Sequence, residues 1–466
     1  MGTGSLGSIF KAYDVRGVVP DELDFRRAYA IGAAFARFAA ERDGAERLLV
    51  ARDMRESGEE LARAVMAGAA SSGIGVVDLG LTSTDLMYFA SGHLNAPGAM
   101  LTASHNPPQY NGMKFCLSGA RPIGQDTGLA DIRRLAEEAL EGAPEAGAVH
   151  GPLDVEHLDL LGRFAEHVHS FVDISALAPL RVVADTANGM GGLVAPAVFA
   201  GLPVSLEVLY GELDGTFPNH PADPIQAENL VDLRALILER GADIGLAFDG
   251  DADRVFLVDE RGEPLSGSTT TAIVAKAMLE KHPGSTILYN CICSKTVPEV
   301  VRENGGIPIR TRVGHSFIKS VMADTGAVFG GEHSGHYYFR DNFRADSGII
   351  AALVVLEVLS RAGQPLSELR KPFERYTDSG EINTRVDDPK AVVERVIETY
   401  RSQGAEIDFL DGLTAEFASW WFNLRPSNTE PLLRLNVEAP DAAQCAARVE
   451  EVLVLVRGAD GTERGS

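Results

Sequence analysis

Three times along the chain, alternating strand and helix signals end in a strand that opens into a polar loop. The first run holds the strand Leu48-Leu49-Val50-Ala51, a helix whose apolar face includes Leu61, Val65 and Ala69, the strand Val76-Val77-Asp78-Leu79, a helix over 84–90 and the strand Gly98-Ala99-Met100-Leu101. It ends in Thr102-Ala103-Ser104-His105-Asn106-Pro107. The second begins at Leu180-Arg181-Val182-Val183-Ala184, passes through helical stretches over 193–200 and 230–240, and reaches Asp249-Gly250-Asp251-Ala252-Asp253-Arg254 from a strand over 243–248. The third sets helices over 268–281, 297–304 and 316–323 among the strands Thr286-Ile287-Leu288-Tyr289, Ile307-Pro308-Ile309 and Ala327-Val328-Phe329. It ends in Gly331-Glu332-His333-Ser334-Gly335-His336. Such alternation calls for a parallel or mixed sheet covered by helices on both faces. Open sheets of this kind present ligand groups beyond the carboxyl ends of their strands. The recurrence is one of pattern rather than of letters, and it predicts three related mixed-sheet α/β domains.

A chain of 466 residues is too long for one core; at ~100–200 residues per domain it divides into three or four. Past 372 the order changes to strands over 380–386 and 417–423 and a helix over 442–454, which reads as a smaller α+β domain. The expected domains are 1–150, 151–256, 257–370 and 371–466. The first break falls in the Gly-, Ala- and Pro-rich stretch 144–152, and the tail 457–466 is expected to fray.

The formal charge of −24 argues against nucleic acid and against anionic membrane surfaces as partners. No apolar run approaches the ~18 residues of a membrane span, and residues 1–7 lack the basic-then-apolar order of a signal peptide. Four cysteines, Cys116, Cys291, Cys293 and Cys445, show neither C-x-x-C spacing nor disulfide density. Cys291 and Cys293 are expected to alternate in a strand and pack in the core. A reducing cytoplasm is the expected setting. An anionic substrate would need a local basic cleft within this acidic body.

The loops carry the chemistry. Ser104 lacks the G-x-S-x-G of a hydrolase elbow and a P-loop pattern, so turn chemistry alone accounts for it unless its companions add a role. Asp249, Asp251 and Asp253 alternate and can converge; three such carboxylates repel unless a cation lies between them, and an all-oxygen pocket suits Mg2+ or Mn2+. An EF-hand shares this spacing, but Arg254 stands where that loop needs Gly, and strands rather than helices flank it. Arg254 is apt for a phosphate held against the metal. Arg425-Pro426-Ser427-Asn428-Thr429-Glu430-Pro431 gathers a guanidinium, two hydroxyls and an amide in one turn, the groups a phosphate dianion needs. Glu332 and Ser334 suit sugar hydroxyls, and His336 could do acid–base work. Tyr13-Asp14-Val15-Arg16-Gly17 is a charged turn near the start, and Lys114 sits on the strand after Asn111-Gly112.

In this order, the Ser104, Asp249–Arg254, Glu332 and Arg425 motifs resemble those of the α-D-phosphohexomutases, over about 10–456. The resemblance implies a central cleft framed by three α/β domains and a smaller phosphate-contacting one. It implies that Ser104 is a phosphoserine that also ligates Mg2+ with Asp249, Asp251 and Asp253. Glu332 and Ser334 would contact the sugar, and Arg425, Ser427, Asn428 and Thr429 would hold the non-transferring phosphate. Arg16, His105, Lys114, Arg254, Lys295, His315 and His336 fall at places resembling the family's supporting cleft residues. The partners implied are a phosphosugar and an activating hexose 1,6-bisphosphate, with the protein a monomer or weak homo-oligomer. The loop around His333 resembles the phosphomannomutase/phosphoglucomutase branch; the phosphoglucosamine branch, usually with Gln at that place, is the alternative. A Mg2+-dependent sugar phosphatase would not need both a sugar loop and a second phosphate clamp, and a noncatalytic sugar-phosphate binder would not need Ser104 or the triad.

Overall fold

In the computed structural model, which describes residues 6–145, 153–426 and 432–457, the three runs form three sheets on one plan. In the first, the strands Arg47–Arg52, Gly75–Leu81, Gly98–Leu101 and Tyr110–Leu117, numbered along the chain, lie in the spatial order 4-3-1-2. Arg181–Asp185, Ser205–Leu209, Ile244–Phe248 and Val255–Asp259 take the same order in the second. So do Thr286–Asn290, Ile307–Thr311, Phe329–Gly331 and Tyr337–Phe339 in the third. Each time the first three strands are parallel and the fourth returns antiparallel. The third strand therefore points its carboxyl end, and the loop that follows, at the cleft before the fourth strand turns back. The mixed α/β class read from the sequence is the one observed.

Val15–Val18 and Arg121–Pro122 extend the first sheet at Tyr110–Leu117, and Glu156–His157 extends it beside Gly75–Leu81. The first sheet thus reaches past residue 150, and Val255–Asp259 carries the second past the expected break between 256 and 257. Strand pairing, rather than a change in composition, sets these limits. The stretch 146–152 and the tail 458–466 lie outside the described residues, while Arg457 closes the last helix rather than fraying.

Two further expectations are corrected. The third strand of the third sheet is Phe329–Gly331, not 327–329. A Cβ on Gly331 would lie 2.3 Å from Thr271 Oγ1, so the glycine that weakens the strand signal is what lets the helix Gly267–Lys281 approach the sheet. Cys291 and Cys293 lie beyond the strand, which ends at Asn290, although all four cysteines are buried and unbridged.

One apolar core runs from Leu49 and Met100 through Val182 and Phe248 to Ile287 and Phe329, joining the first three domains. Two of its helices start from side-chain caps: Ser83 accepts from Leu86 N (3.3 Å) before Thr84–Leu94, and Ser347 from Ile350 N (3.3 Å) before Gly348–Ala362. The fourth domain is an antiparallel sheet containing Thr377–Asp378, Ile382–Arg385, Glu406–Asp408, Leu413–Glu416, Trp421–Pro426 and Leu432–Ala439. With the helices Pro389–Ser402 and Ala442–Arg457 it encloses a core of its own around Tyr400, Phe422, Leu435 and Val452. Polar contacts tie it to the third domain, such as Arg310 Nη2 to Asp408 Oδ2 (2.6 Å) and Val313 N to Asp411 Oδ2 (3.0 Å). Among the described residues no single helix is long and apolar enough to cross a membrane; the apolar helix Gly348–Ala362 is buried in the shared core.

Candidate active site

Ser104 follows the strand Gly98–Leu101 with φ of 49°, a left-handed conformation that costs a non-glycine residue roughly 1–2 kcal/mol. Three contacts hold it there. Its amide donates to Thr102 Oγ1 (2.9 Å), and its carbonyl accepts from Arg55 Nη2 (2.8 Å). Across the domain boundary, a Cβ on Gly250 would meet Ser104 O at 2.5 Å, so only glycine lets the two loops touch. The hydroxyl then donates to Asp249 Oδ2 (2.9 Å) and lies 3.3 Å from His105 Nδ1. The protein packed around His105, then the guanidinium groups of Arg254 and Arg16, pushes its pKa far down and keeps the ring neutral.

The carboxylates of Asp249, Asp251 and Asp253 converge, with one oxygen of each within 4.8 Å of the others, and all three are buried. Besides any added ion, two protein cations meet these carboxylates. Lys114 Nζ bridges Asp251 Oδ2 and Asp253 Oδ2 (2.7 Å each), and Arg254 Nε donates to Asp249 Oδ2 (2.8 Å). Thr84 Oγ1 adds a 2.5 Å bond to Asp251. Burial raises Asp251, but Lys114 and Thr84 outweigh it and hold the carboxyl below its usual range. Asp249 goes the other way, to about 7, because burial and the facing carboxylates exceed the pull of Arg254. Asp251 Oδ1 and Asp253 Oδ1 remain buried without a hydrogen-bond partner among the described residues. Orphaned anionic oxygens of this kind are costly, so the triad could hold a metal ion, and its all-oxygen donor set fits a hard divalent cation.

Glu332, Ser334 and His336 close the other side. Glu332 is buried and accepts from Tyr338 Oη (2.7 Å), Gly314 N (3.1 Å) and Asn290 Nδ2 (3.2 Å), which fix its carboxylate. His336 links the two loops: Nδ1 lies 3.1 Å from Ser334 Oγ and Nε2 3.7 Å from Asp253 Oδ1. His315 opens the helix His315–Thr325, its ring 5.2 Å from that of Tyr13, and burial and then Lys319 keep it neutral.

The cations that a phosphorylated ligand requires are present, and each already shares a carboxylate. Arg16 holds Asp14 (2.5 Å) while donating to Asn106 Oδ1 (2.5 Å). Arg425 holds Glu381 (2.9 Å) and lies 3.8 Å from Asp411. Lys295 turns to Glu416 (3.3 Å) and to Phe417 O (3.1 Å), at the seam with the fourth domain. The cleft is thus a mesh of ion pairs rather than the basic patch that the acidic composition calls for. Ser427, Asn428 and Thr429 lie outside the described residues.

Arg55 is the residue that motif reading misses. Its fully buried guanidinium donates to the carbonyls of Ser104 (2.8 Å), Asn106 (2.7 Å), Pro107 (2.9 Å) and Tyr110 (2.9 Å), and Asp53 backs it at 3.3 Å. A lone arginine after a charged turn carries no sequence signal for this. Arg55→Lys keeps the charge but not the fork, and is expected to retain the fold while lowering kcat by up to about 100-fold, the cost of misplacing a reacting group by ~1 Å. KM should move only a few-fold. Steady-state kinetics checks this; an unchanged kcat would mean the loop holds its shape without the fork.

Family models match the chain from end to end. Those described as phosphoglucomutase/phosphomannomutase alpha/beta/alpha domains I, II and III match residues 7–142, 162–262 and 266–376, and the C-terminal domain model matches 381–454. Phosphohexose mutases of Xanthomonas campestris pv. campestris (strain B100) are 42% identical over 96% of this chain and 99% of their own. The phosphomannomutase of Salmonella montevideo is 40% identical over 96% and 98%. Among solved structures, a phosphoglucomutase/phosphomannomutase family protein from Burkholderia thailandensis superposes with a TM-score of 0.86 at 31% identity, covering 98% of both chains.

Proposed function

The chain belongs to the phosphoglucomutase/phosphomannomutase family, and from that premise we propose that it interconverts hexose 6-phosphate and hexose 1-phosphate through a phosphoserine at Ser104 and a hexose 1,6-bisphosphate. It is an isomerase, a phosphohexomutase, as its relatives' names state of them. The observation that carries the residue-level reading is the 2.9 Å contact of Ser104 Oγ with Asp249, which joins the serine loop of one domain to the carboxylate triad of the next.

In this reading a sugar hydroxyl oxygen forms the new bond to phosphorus as the bond from phosphorus to Ser104 Oγ breaks. The hydroxyl's proton passes to His336, beside Ser334 and Asp253, while Ser104 Oγ takes up a proton from solvent as it leaves and ends as the hydroxyl that donates to Asp249. Mg2+ held by Asp249, Asp251, Asp253 and the Ser104 phosphate would neutralise charge on the transferring group. Arg254, whose Nη2 is buried without a partner among the described residues, reaches for a phosphoryl oxygen. Arg425 with Ser427, Asn428 and Thr429 grips the other phosphate. The bisphosphate then turns over, and the second phosphate is returned to Ser104.

Glu332 and Ser334 would take the 3- and 4-hydroxyls, which mannose and glucose share. His333, the residue separating this reading from the phosphoglucosamine branch, bonds Ser268 Oγ (3.0 Å) and lines a seam with Asp378 and Trp421. A site discriminates strongly only when the wrong substrate leaves its polar groups unpaired. Neither epimer does so, and rates on mannose and glucose 1-phosphates are expected within about 100-fold of each other. Glu332→Ala should slow both together. Side-by-side rates with mannose, glucose and glucosamine 1-phosphates test this. Glu332→Ala sparing one epimer would sink the shared-hydroxyl reading, and glucosamine 1-phosphate as the best substrate would move the assignment to the other branch.

A further inference from the structure

We propose that a groove between the first and third domains, separate from the Ser104 cleft, is a second anion site that takes a small phosphorylated metabolite. The groove encloses about 650 Å³, with residues 117–127 of the first domain on one wall and the helix His315–Thr325 on the other, a size within the roughly 300–1,000 Å³ range of small-molecule sites. None of the Ser104 loop, the triad, Glu332 or Arg425 lines it; Tyr13, whose ring lies 5.2 Å from that of His315, marks where the groove adjoins the cleft.

The lining chemistry is that of an anion receptor. Among the described residues, four guanidinium groups, Arg42, Arg121, Arg312 and Arg344, face it, against the single carboxylate of Asp126. In a chain with 66 acidic and 42 basic residues, such an imbalance runs against composition. The cleft arginines described above are each held by a carboxylate. Here Arg121 alone is, by Asp43; among the described residues Arg42, Arg312 and Arg344 have no ion pair. Arg312 lies instead over the Phe317 ring at 4.2 Å, which orients it without neutralising it. Cations gathered in one cavity repel each other, and an anion between them reverses the sign of that term.

The helix wall adds neutral donors. Ser316 and Ser320, one turn apart, line the groove, and their hydroxyls have no hydrogen-bond partner among the described residues. Lys319 lies between them, but its ammonium turns to Asp346 (2.7 Å) and contributes only its stem. Forked guanidinium groups with small hydroxyl donors match a phosphate ester or diphosphate better than a lone carboxylate.

Isothermal titration of the full chain with inorganic pyrophosphate, in metal-free buffer at physiological salt, tests the site. The wild-type protein should show two classes of binding, one displaced by glucose 1-phosphate and one not. Arg42→Gln with Arg344→Gln should weaken the undisplaced class by about tenfold or more, the effect of losing charge-assisted contacts, and leave turnover and the displaced class unchanged. Arg425→Ala should do the reverse. Arg42→Glu, at an exposed helix end, should weaken the same undisplaced class and covers the case in which the double variant fails to fold. A single class that disappears with Arg425→Ala would overturn the proposal, as would an undisplaced class indifferent to Arg42 and Arg344. Because turnover is measured separately, loss of the groove site and loss of the mutase reading are distinguishable.

Discussion

Ser104→Ala is expected to lower kcat by roughly 10⁴-fold or more, the scale seen when a catalytic nucleophile is removed, with the fold unchanged. The substitution deletes one oxygen from a loop whose shape depends on other atoms: Thr102 Oγ1 holds the amide of residue 104 and Arg55 its carbonyl, and Asp249 keeps Arg254 as a partner. On the proposed reading, what disappears is the atom that would carry the phosphoryl group between its two positions on the sugar. Phosphopeptide mapping of active protein should find Ser104 phosphorylated, and dephosphorylated protein should regain activity with catalytic amounts of a hexose 1,6-bisphosphate. Active protein in which Ser104 is always unmodified would remove the covalent route. A substituted protein that is inactive and also unfolded would be told apart by circular dichroism.

Asp251→Asn should have the second-largest effect. Asp251 takes Thr84 Oγ1 at 2.5 Å and Lys114 Nζ at 2.7 Å on one oxygen, while its other oxygen has no hydrogen-bond partner among the described residues. Neutralising it removes a hard anionic ligand and leaves the Lys114 ammonium facing Asp253 alone. Metal affinity should fall by more than the roughly 10–100-fold lost when only an outer-shell partner is removed, and turnover should fall with it. Titration with Mn2+ as a reporter ion measures the first, and rates with added Mg2+ measure the second. Chelator should stop the wild-type reaction reversibly; full activity in metal-free buffer with excess chelator would sink this reading. Because Lys114 and Arg254 partly offset the triad's charge, the fold should tolerate metal removal even where catalysis does not.

Some of this architecture was legible in the chain itself. Strand and helix periodicity are local properties, so the three alternating runs and the change of order past 372 could be read without neighbours. Each run could also be seen to end in a loop of reactive side chains. That the three sheets share one strand order is more than the letters show, since order is set by which strands pair. Local signals misplaced the strand Phe329–Gly331 because Gly331 answers to the approach of Thr271, a contact 60 residues away in sequence.

Sequence alone determined the inventory: a serine, a carboxylate triad, a carboxylate–hydroxyl loop and an arginine turn, in an order that matches one family. Tertiary structure decided how they meet. It placed Ser104 Oγ on Asp249 in the next domain and slid Lys114 between Asp251 and Asp253. It also made Arg55 the brace of the serine loop and left Arg42, Arg312 and Arg344 around a groove with one carboxylate. The reason is physical. A residue's type and its spacing to near neighbours travel with the chain, whereas ion pairing, burial and backbone strain depend on groups that only folding brings within a few ångströms.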